Sequence, residues 1–132
     1  MSTRLILTVL FSSVFFLSSY TLAVGKPVSQ EKIKESIEKG AKFLYQNQNA
    51  TGWWSDSGLP ALTGLALVAL EMADATKLDS KYESERRRAY DYLTSLAKPD
   101  GSIHDGRLIN YNTACSLMAL SMSNESRYRQ LI

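Results

Sequence analysis

The fold is decided by the stretch from Lys39 to Trp54, which reads KGAKFLYQNQNATGWW. It begins as the end of an amphipathic helix and ends in a polar turn with two adjacent tryptophans. A Gln at a helix C-terminus can donate to carbonyls that have no intrahelical partner, and an indole beside it usually finds a partner for its own N–H. We therefore expect Gln48 and Trp54 to hold this turn closed. Gly52 should supply a positive φ or a close approach of the backbone.

The first 25 residues have the pattern of a secretory signal peptide. Arg4 gives a short positive start, residues 5–17 are almost wholly apolar, and small residues at 23–25 match the spacing that signal peptidase cleaves. The sequence predicts an exported protein, periplasmic or extracellular, with a mature part of 26–132. An uncleaved membrane anchor is the alternative, but the apolar run is short for one.

The charge pattern argues against a nucleic-acid partner. The chain has 15 basic and 13 acidic residues, and its one run of three arginines, at 86–88, follows Glu83 and Glu85. That order is typical of a solvated helix face with local ion pairs. The single cysteine, Cys115, excludes an internal disulfide.

Hydrophobic periodicity predicts an outer helix followed by an inner one. The outer helix should run from Gln30 to Gln48, with Ser29 as its N-cap. Its apolar stripe recurs every three or four residues, as a helix with one buried face requires. The members of this stripe are Ile33, Ile37, Ala41 and Leu44.

The inner helix should run from about Leu59 to Ala75, with Pro60 at its first position. It is apolar on every side, which predicts that it is buried all round, and it is too short to span a bilayer. Gly64 and the alanines around it should let a neighbouring helix come close.

A second hairpin follows the first. The residues from Ser80 to Glu83 form a capping box that opens a helix to about Ala97. Asp100 and Gly101 supply the turn, and an apolar helix runs from about Tyr111 to Met122. The matched positions of the two hairpins, 49 or 50 residues apart, are Phe43-Leu44 with Tyr92-Leu93, Gly52 with Gly101, Thr63 with Thr113, and Ala69-Leu70 with Ala119-Leu120.

A period near 50 indicates an internal repeat of α/α type. In the second copy Ala97 stands at the place of Gln48, and Ile103 at that of Trp54. Repeat one covers about 30–75 and repeat two about 80–122. Residues 124–132 start a third outer helix, capped by Ser123 or Asn124.

Gln48, Gly52 and Trp54 resemble the QW repeat of the squalene and oxidosqualene cyclases and, more loosely, of the protein prenyltransferase β subunits. Trp53 and the turn at Asp100 and Gly101 belong to the same structural motif. The resemblance implies an all-α fold of α/α toroid-type helical hairpin repeats, with about two hairpins of an incomplete ring. Missing repeats of a longer toroid would complete it, or the chain would self-associate, and we favour the fragment.

The same resemblance implies chemistry for which we find no residues. The cyclases protonate their substrate with an aspartate in a D-x-D-D type motif, and Asp56, Asp100 and Asp105 do not reproduce that cluster. We expect these aspartates to serve in turns or as caps. The prenyltransferases use a zinc ion, which needs three or four ligands; His104 and Cys115 alone do not supply them. We assign no catalytic, cofactor or metal residue.

Two functions remain open. In the first, the chain belongs to an exported prenyltransferase/squalene-cyclase-like repeat protein that binds an apolar or isoprenoid ligand, or a protein partner, without catalysis. In the second, it is the N-terminal part of a terpenoid cyclase that holds an isoprenoid in the hollow of the toroid. Association with a membrane surface fits either. Export, the altered second repeat and the missing acid motif favour the first.

Overall fold

The computed structural model describes residues 27–74 and 82–130, and these residues form an all-α fold. The predicted signal peptide lies outside the described residues. Within the two described ranges there is no strand, only an isolated bridge between Ala97 and Ile103. The helices are α1 (Gln30–Gln46), α2 (Pro60–Asp74), α3 (Glu83–Ser95), α4 (Ile109–Met122) and α5 (Ser126–Arg129). None of these helices is long and apolar enough to cross a membrane.

Helix α1 begins where its cap predicts. The Ser29 hydroxyl accepts from the Lys32 N–H at 3.3 Å. The helix ends at Gln46, two residues earlier than expected. Only half of its apolar stripe is covered, because Ile33 and Ile37 are 40% and 37% exposed while Ala41 is buried.

Helix α2 starts at Pro60 as predicted, but the expectation that it is buried all round is wrong. Leu67 and Leu70 are fully buried on one side of the helix. On the other side Leu65, Ala69 and Met72 follow at spacings of four and three and are exposed. The apolar side chains of α2 are buried where other helices pack against them, and those on the opposite side remain exposed.

Helix α3 begins at Glu83, and its N-cap is Tyr82, which makes no side-chain capping bond. The predicted capping box begins at Ser80, which lies outside the described residues. The helix ends at Ser95 rather than Ala97.

The last two helices also differ from the prediction at their starts. Helix α4 begins two residues earlier than expected, after Leu108 in the left-handed region at φ +42°. The N-cap of α5 is Glu125, not Ser123 or Asn124. Instead the Ser123 hydroxyl accepts from the Glu125 N–H at 3.2 Å and turns the chain between the two helices.

Helices α2 and α4 lie side by side and run parallel. Near their starts, the Ala61 N–H donates to the Asn112 side-chain oxygen at 3.0 Å. Near their ends, the Tyr90 hydroxyl of α3 contacts both Glu71 and the Ala119 carbonyl, at 3.0 and 3.3 Å. A Cβ on Gly64 would lie 2.6 Å from the Cys115 carbonyl oxygen, so this glycine permits the close approach that the sequence predicts.

The internal period is visible in the backbone of both turns. The Asn49 N–H donates to the Trp53 carbonyl at 2.9 Å, and Lys98, 49 residues later, donates to Ser102 at 2.8 Å. Each turn also contains a glycine with positive φ, at 102° and 85°. The two turns therefore have the same hydrogen-bonded corner although their side chains differ.

Candidate functional site

The Gln–Trp turn, residues 48–54, connects α1 to α2 and contacts α3 of the second hairpin. Trp54 is 6% exposed, and its indole N–H donates to the Leu44 carbonyl at 2.8 Å. The Gln48 amide donates instead to the carbonyls of Gly52 and Glu85, at 3.0 and 2.8 Å. The indole thus takes the helix-end carbonyl that we expected the Gln to take, and the Gln reaches across to α3.

Gly52 meets both of its expected requirements. Its φ is +102°, where side chains are rarely tolerated. A Cβ at this position would also overlap the carbonyl oxygen of Arg88 in α3. Arg88 in turn donates to the Gln48 side-chain oxygen at 3.2 Å, so α3 is held against the turn from two directions. Trp53 is half-buried.

Asp56 and Asp100 are held in turns by hydrogen bonds that lower the pKa of their carboxyl groups. Asp100 accepts from the hydroxyl and the N–H of Ser102, at 2.6 and 3.0 Å, and these two bonds lower its pKa. The Gly58 N–H first, and then the Arg107 guanidinium, lower the pKa of Asp56. A carboxyl group whose pKa is lowered is ionised at neutral pH and has no proton to give.

His104 and Cys115 also have local roles. The His104 ring nitrogen Nδ1 accepts from the Gly106 N–H at 2.9 Å and closes a turn. The Cys115 thiol is free and buried in α4. Among the described residues, no group of three His, Cys, Asp or Glu side chains could hold a metal ion.

Asn112 is a site residue that the sequence reasoning missed. It is fully buried in α4, where its side chain accepts from the Ala61 N–H and donates to the Arg107 carbonyl at 2.7 Å. It therefore caps an N–H in the first turn of α2 that has no partner within its own helix. A polar amide inside an otherwise apolar segment was the signal for this role.

Four of the exposed apolar side chains of α2 and α4 form a surface that we call the inner face. Its members are between 40% and 65% exposed although they lie on the two most apolar helices of the chain. Each helix contributes a pair of residues seven positions apart. The inner face consists of Leu65 and Met72 of α2 and Tyr111 and Met118 of α4.

Helix geometry brings the two pairs to the same side. Successive residues of an α-helix are rotated by about 100°. Gly64 faces α4 and Leu65 follows it, whereas Asn112 faces α2 and Tyr111 precedes it. Starting from the contact between two parallel helices, one step forward on α2 and one step back on α4 turn to the same side. Leu65 and Tyr111 therefore lie on the same side of the helix pair. The seven-residue spacing within each pair was present in the sequence, but which side would lack a neighbour was not.

The inner face can contact an apolar molecule, and the described turns are built to hold the hairpins in register. No protein-family model, curated protein or solved structure matches this chain.

Proposed function

We propose that this chain is an exported binding module of toroid-type α/α hairpin repeats, similar to the squalene cyclases in its QW-type turn, that holds an apolar molecule on its inner face. The observation that carries the proposal is the exposure of Leu65, Met72, Tyr111 and Met118 on one side of two parallel helices. Soluble proteins seldom leave such side chains together in water without a binding role. An isoprenoid or another long alkyl or alkenyl chain fits this chemistry.

The size of the inner face sets the affinity. Fully burying one such side chain contributes about 1.5–3 kcal/mol. Because these four are already about half-buried, each adds roughly 1 kcal/mol. Together they add roughly 4 kcal/mol, which corresponds to a dissociation constant of about 1 mM. Tighter binding requires a larger apolar surface than two hairpins supply. Further repeats or another copy would provide it.

A non-catalytic role is favoured by the state of the carboxyl groups. Asp56 and Asp100 accept hydrogen bonds that keep them ionised, and both lie in turns rather than on the inner face. The second candidate is the N-terminal part of a terpenoid cyclase, and the Gln–Trp turn favours it. An acidic D-x-D-D type motif on a further hairpin of the same polypeptide would support the cyclase and not the binding module.

Binding is tested by displacing the apolar dye anilinonaphthalene sulfonate with the isoprenoid alcohol farnesol. We expect displacement by farnesol, and about tenfold weaker binding in Met118→Glu because a charge then lies against the ligand. Gln46→Glu, an exposed position of α1, adds the same charge away from the inner face and should bind as the wild type does. Equal binding by both variants would contradict the proposal.

Export is tested separately by N-terminal sequencing of the protein recovered after secretion. Cleavage after Gly25 would leave Lys26 as the first residue. Recovery of the intact N-terminus in the membrane fraction would instead support an uncleaved anchor.

A further inference from the structure

The contact between the two hairpins uses a different surface on each. We call the surface that hairpin one presents its trailing edge, and the surface that hairpin two presents its leading edge. Tyr45 of the trailing edge stacks on Tyr82 of the leading edge, with ring centroids 4.0 Å apart. Further along, Gly52 lies against Arg88, and Gly64 against Cys115. Because the hairpins repeat with a period of 49 or 50 residues, hairpin one also has a counterpart of the leading edge, and hairpin two a counterpart of the trailing edge. Among the described residues, neither counterpart packs against another hairpin in the way the original edges do.

The leading edge recurs on hairpin one, uncovered. Ala89 and Ala119 are fully buried on hairpin two, whereas their counterparts Gly40 and Ala69 are exposed. Phe43 corresponds to Tyr92, whose hydroxyl bonds to the Ser57 carbonyl of hairpin one, and Phe43 is 64% exposed. These positions border an apolar groove between α1 and α2.

The trailing edge recurs on hairpin two, also uncovered. A Cβ on Gly52 would overlap α3, but a Cβ on its counterpart Gly101 meets nothing within 4 Å. Gly64 is buried against α4, but its counterpart Ala114 is exposed. A second groove follows these residues along α4.

Helix α5 leaves most of this edge free. Its Tyr128 stacks on Tyr90, with centroids 4.9 Å apart, and donates to Asp91 at 2.8 Å. Tyr90 and Asp91 lie about one helical turn before Thr94, which is the counterpart of Tyr45. Of the positions that match Tyr45, Gln48, Gly52 and Gly64, Gly101 and Ala114 are exposed, and Thr94 and Ala97 are half-buried.

We infer that copies of this chain associate head to tail, with the trailing edge of hairpin two of one copy against the leading edge of hairpin one of the next. The proposed occupant is a second copy, because the contact between the hairpins shows that a trailing edge fits a leading edge, and exposed positions of both edges recur among the described residues. Such a contact is heterologous, so it builds rings or filaments rather than two-fold dimers. It would also extend the inner face beyond two hairpins.

The contact between copies should be weaker than the one within the chain. Ala114 has a methyl group where Gly64 has none, so the neighbouring inner helix sits farther away. Ala97 replaces Gln48, so the bonds to the next outer helix are lost. We therefore expect association in the micromolar range or weaker, as for other small interfaces with few polar contacts.

The test measures the mass of the protein, expressed from the full 132-residue sequence, by sedimentation at about 10–500 µM, the range in which such interfaces dissociate. Phe43→Glu disables the leading edge, and Ala69→Glu is a second variant of the same edge. Ala114→Arg disables the trailing edge. Gln46→Glu and Ser95→Arg, at equivalent exposed positions on the outer helices, are the charge-matched controls.

We expect the wild type and both controls to form dimers and larger species. Each edge variant should be monomeric, with association weakened about 30-fold or more by an unpaired charge in the contact. An equimolar mixture of Phe43→Glu and Ala114→Arg should form dimers and nothing larger, since one intact edge of each kind remains. Circular dichroism confirms that every variant is folded.

Two results would overturn the inference. A wild type that stays monomeric at about 500 µM, a concentration at which weak contacts are populated, would show that the edges do not recognise each other. Edge variants that associate as strongly as the wild type does would show that the copies meet through another surface. Neither result bears on farnesol binding to the monomer.

Discussion

Replacing Gly52 by alanine should destabilise the protein far more than the same change at Gly101. Both glycines have positive φ, at 102° and 85°, and both occupy the same place in their turns. They differ in what lies beyond the missing side chain. A Cβ at Gly52 would overlap the Arg88 carbonyl oxygen, and a Cβ at Gly101 has open space within 4 Å.

The two costs can be separated. Holding an alanine at positive φ costs about 1–2 kcal/mol at either position, and the lower chain entropy of the unfolded alanine variant returns about 0.4–1 kcal/mol at both. Overlap with a backbone that cannot move freely adds about 1–3 kcal/mol at Gly52 alone. The difference in unfolding free energy between the two variants therefore measures the contact between the Gln–Trp turn and α3.

Urea unfolding followed by circular dichroism and tryptophan fluorescence provides the measurement. With a slope of about 1–3 kcal/mol per M, a difference of about 2 kcal/mol separates the two midpoints by roughly 1 M. Equal losses in Gly52→Ala and Gly101→Ala would refute the reasoning, because backbone conformation alone would then account for both.

Three further predictions use the same assay. Trp54→Ala should cost about 3–5 kcal/mol, since it removes a buried indole; an unchanged midpoint would show the indole to be dispensable. Thr63→Val should cost about 1–3 kcal/mol, because the main-chain N–H of Trp54 then loses its acceptor at a fully buried position. Thr113→Val should cost less, because water reaches the half-exposed Thr113 and can replace the lost bond to the Ile103 N–H. A larger loss in Thr113→Val than in Thr63→Val would contradict this. Burial first, and Glu71 second, raise the pKa of Tyr90, so stability should be full below about pH 10 and fall as the pH rises above it. Tyr90→Phe should flatten that fall, and an equally steep fall in the variant would exclude Tyr90 as its source.

Local signals predicted the elements of the fold well. The Ser29 cap and the N1 position of Pro60 depend on a few neighbouring residues, and both are confirmed. The stacking of Tyr82 on Tyr45 just before α3 could not be predicted in this way, because the two rings are 37 residues apart in the sequence and meet only through tertiary packing.

The contacts across the hairpins could be predicted only in part. The sequence singled out Gln48, but two of its three partners belong to α3, 37 or more residues away. Nor could periodicity tell which side of α2 would face water, since an apolar helix looks the same from every direction until its neighbours are placed. The exposure of Leu65 and Met72 is therefore information that only the packing provides.

The hydroxyls of Thr63 and Thr113 each bind the main-chain N–H that follows a turn, that of Trp54 in one hairpin and that of Ile103 in the other. Since this anchor acts on the main chain, the second hairpin forms the same corner with Ile103 in the place of the aromatic ring. Divergent hairpins of this kind should thus be traceable by a glycine and a threonine 11 or 12 residues later, even after every tryptophan has been replaced.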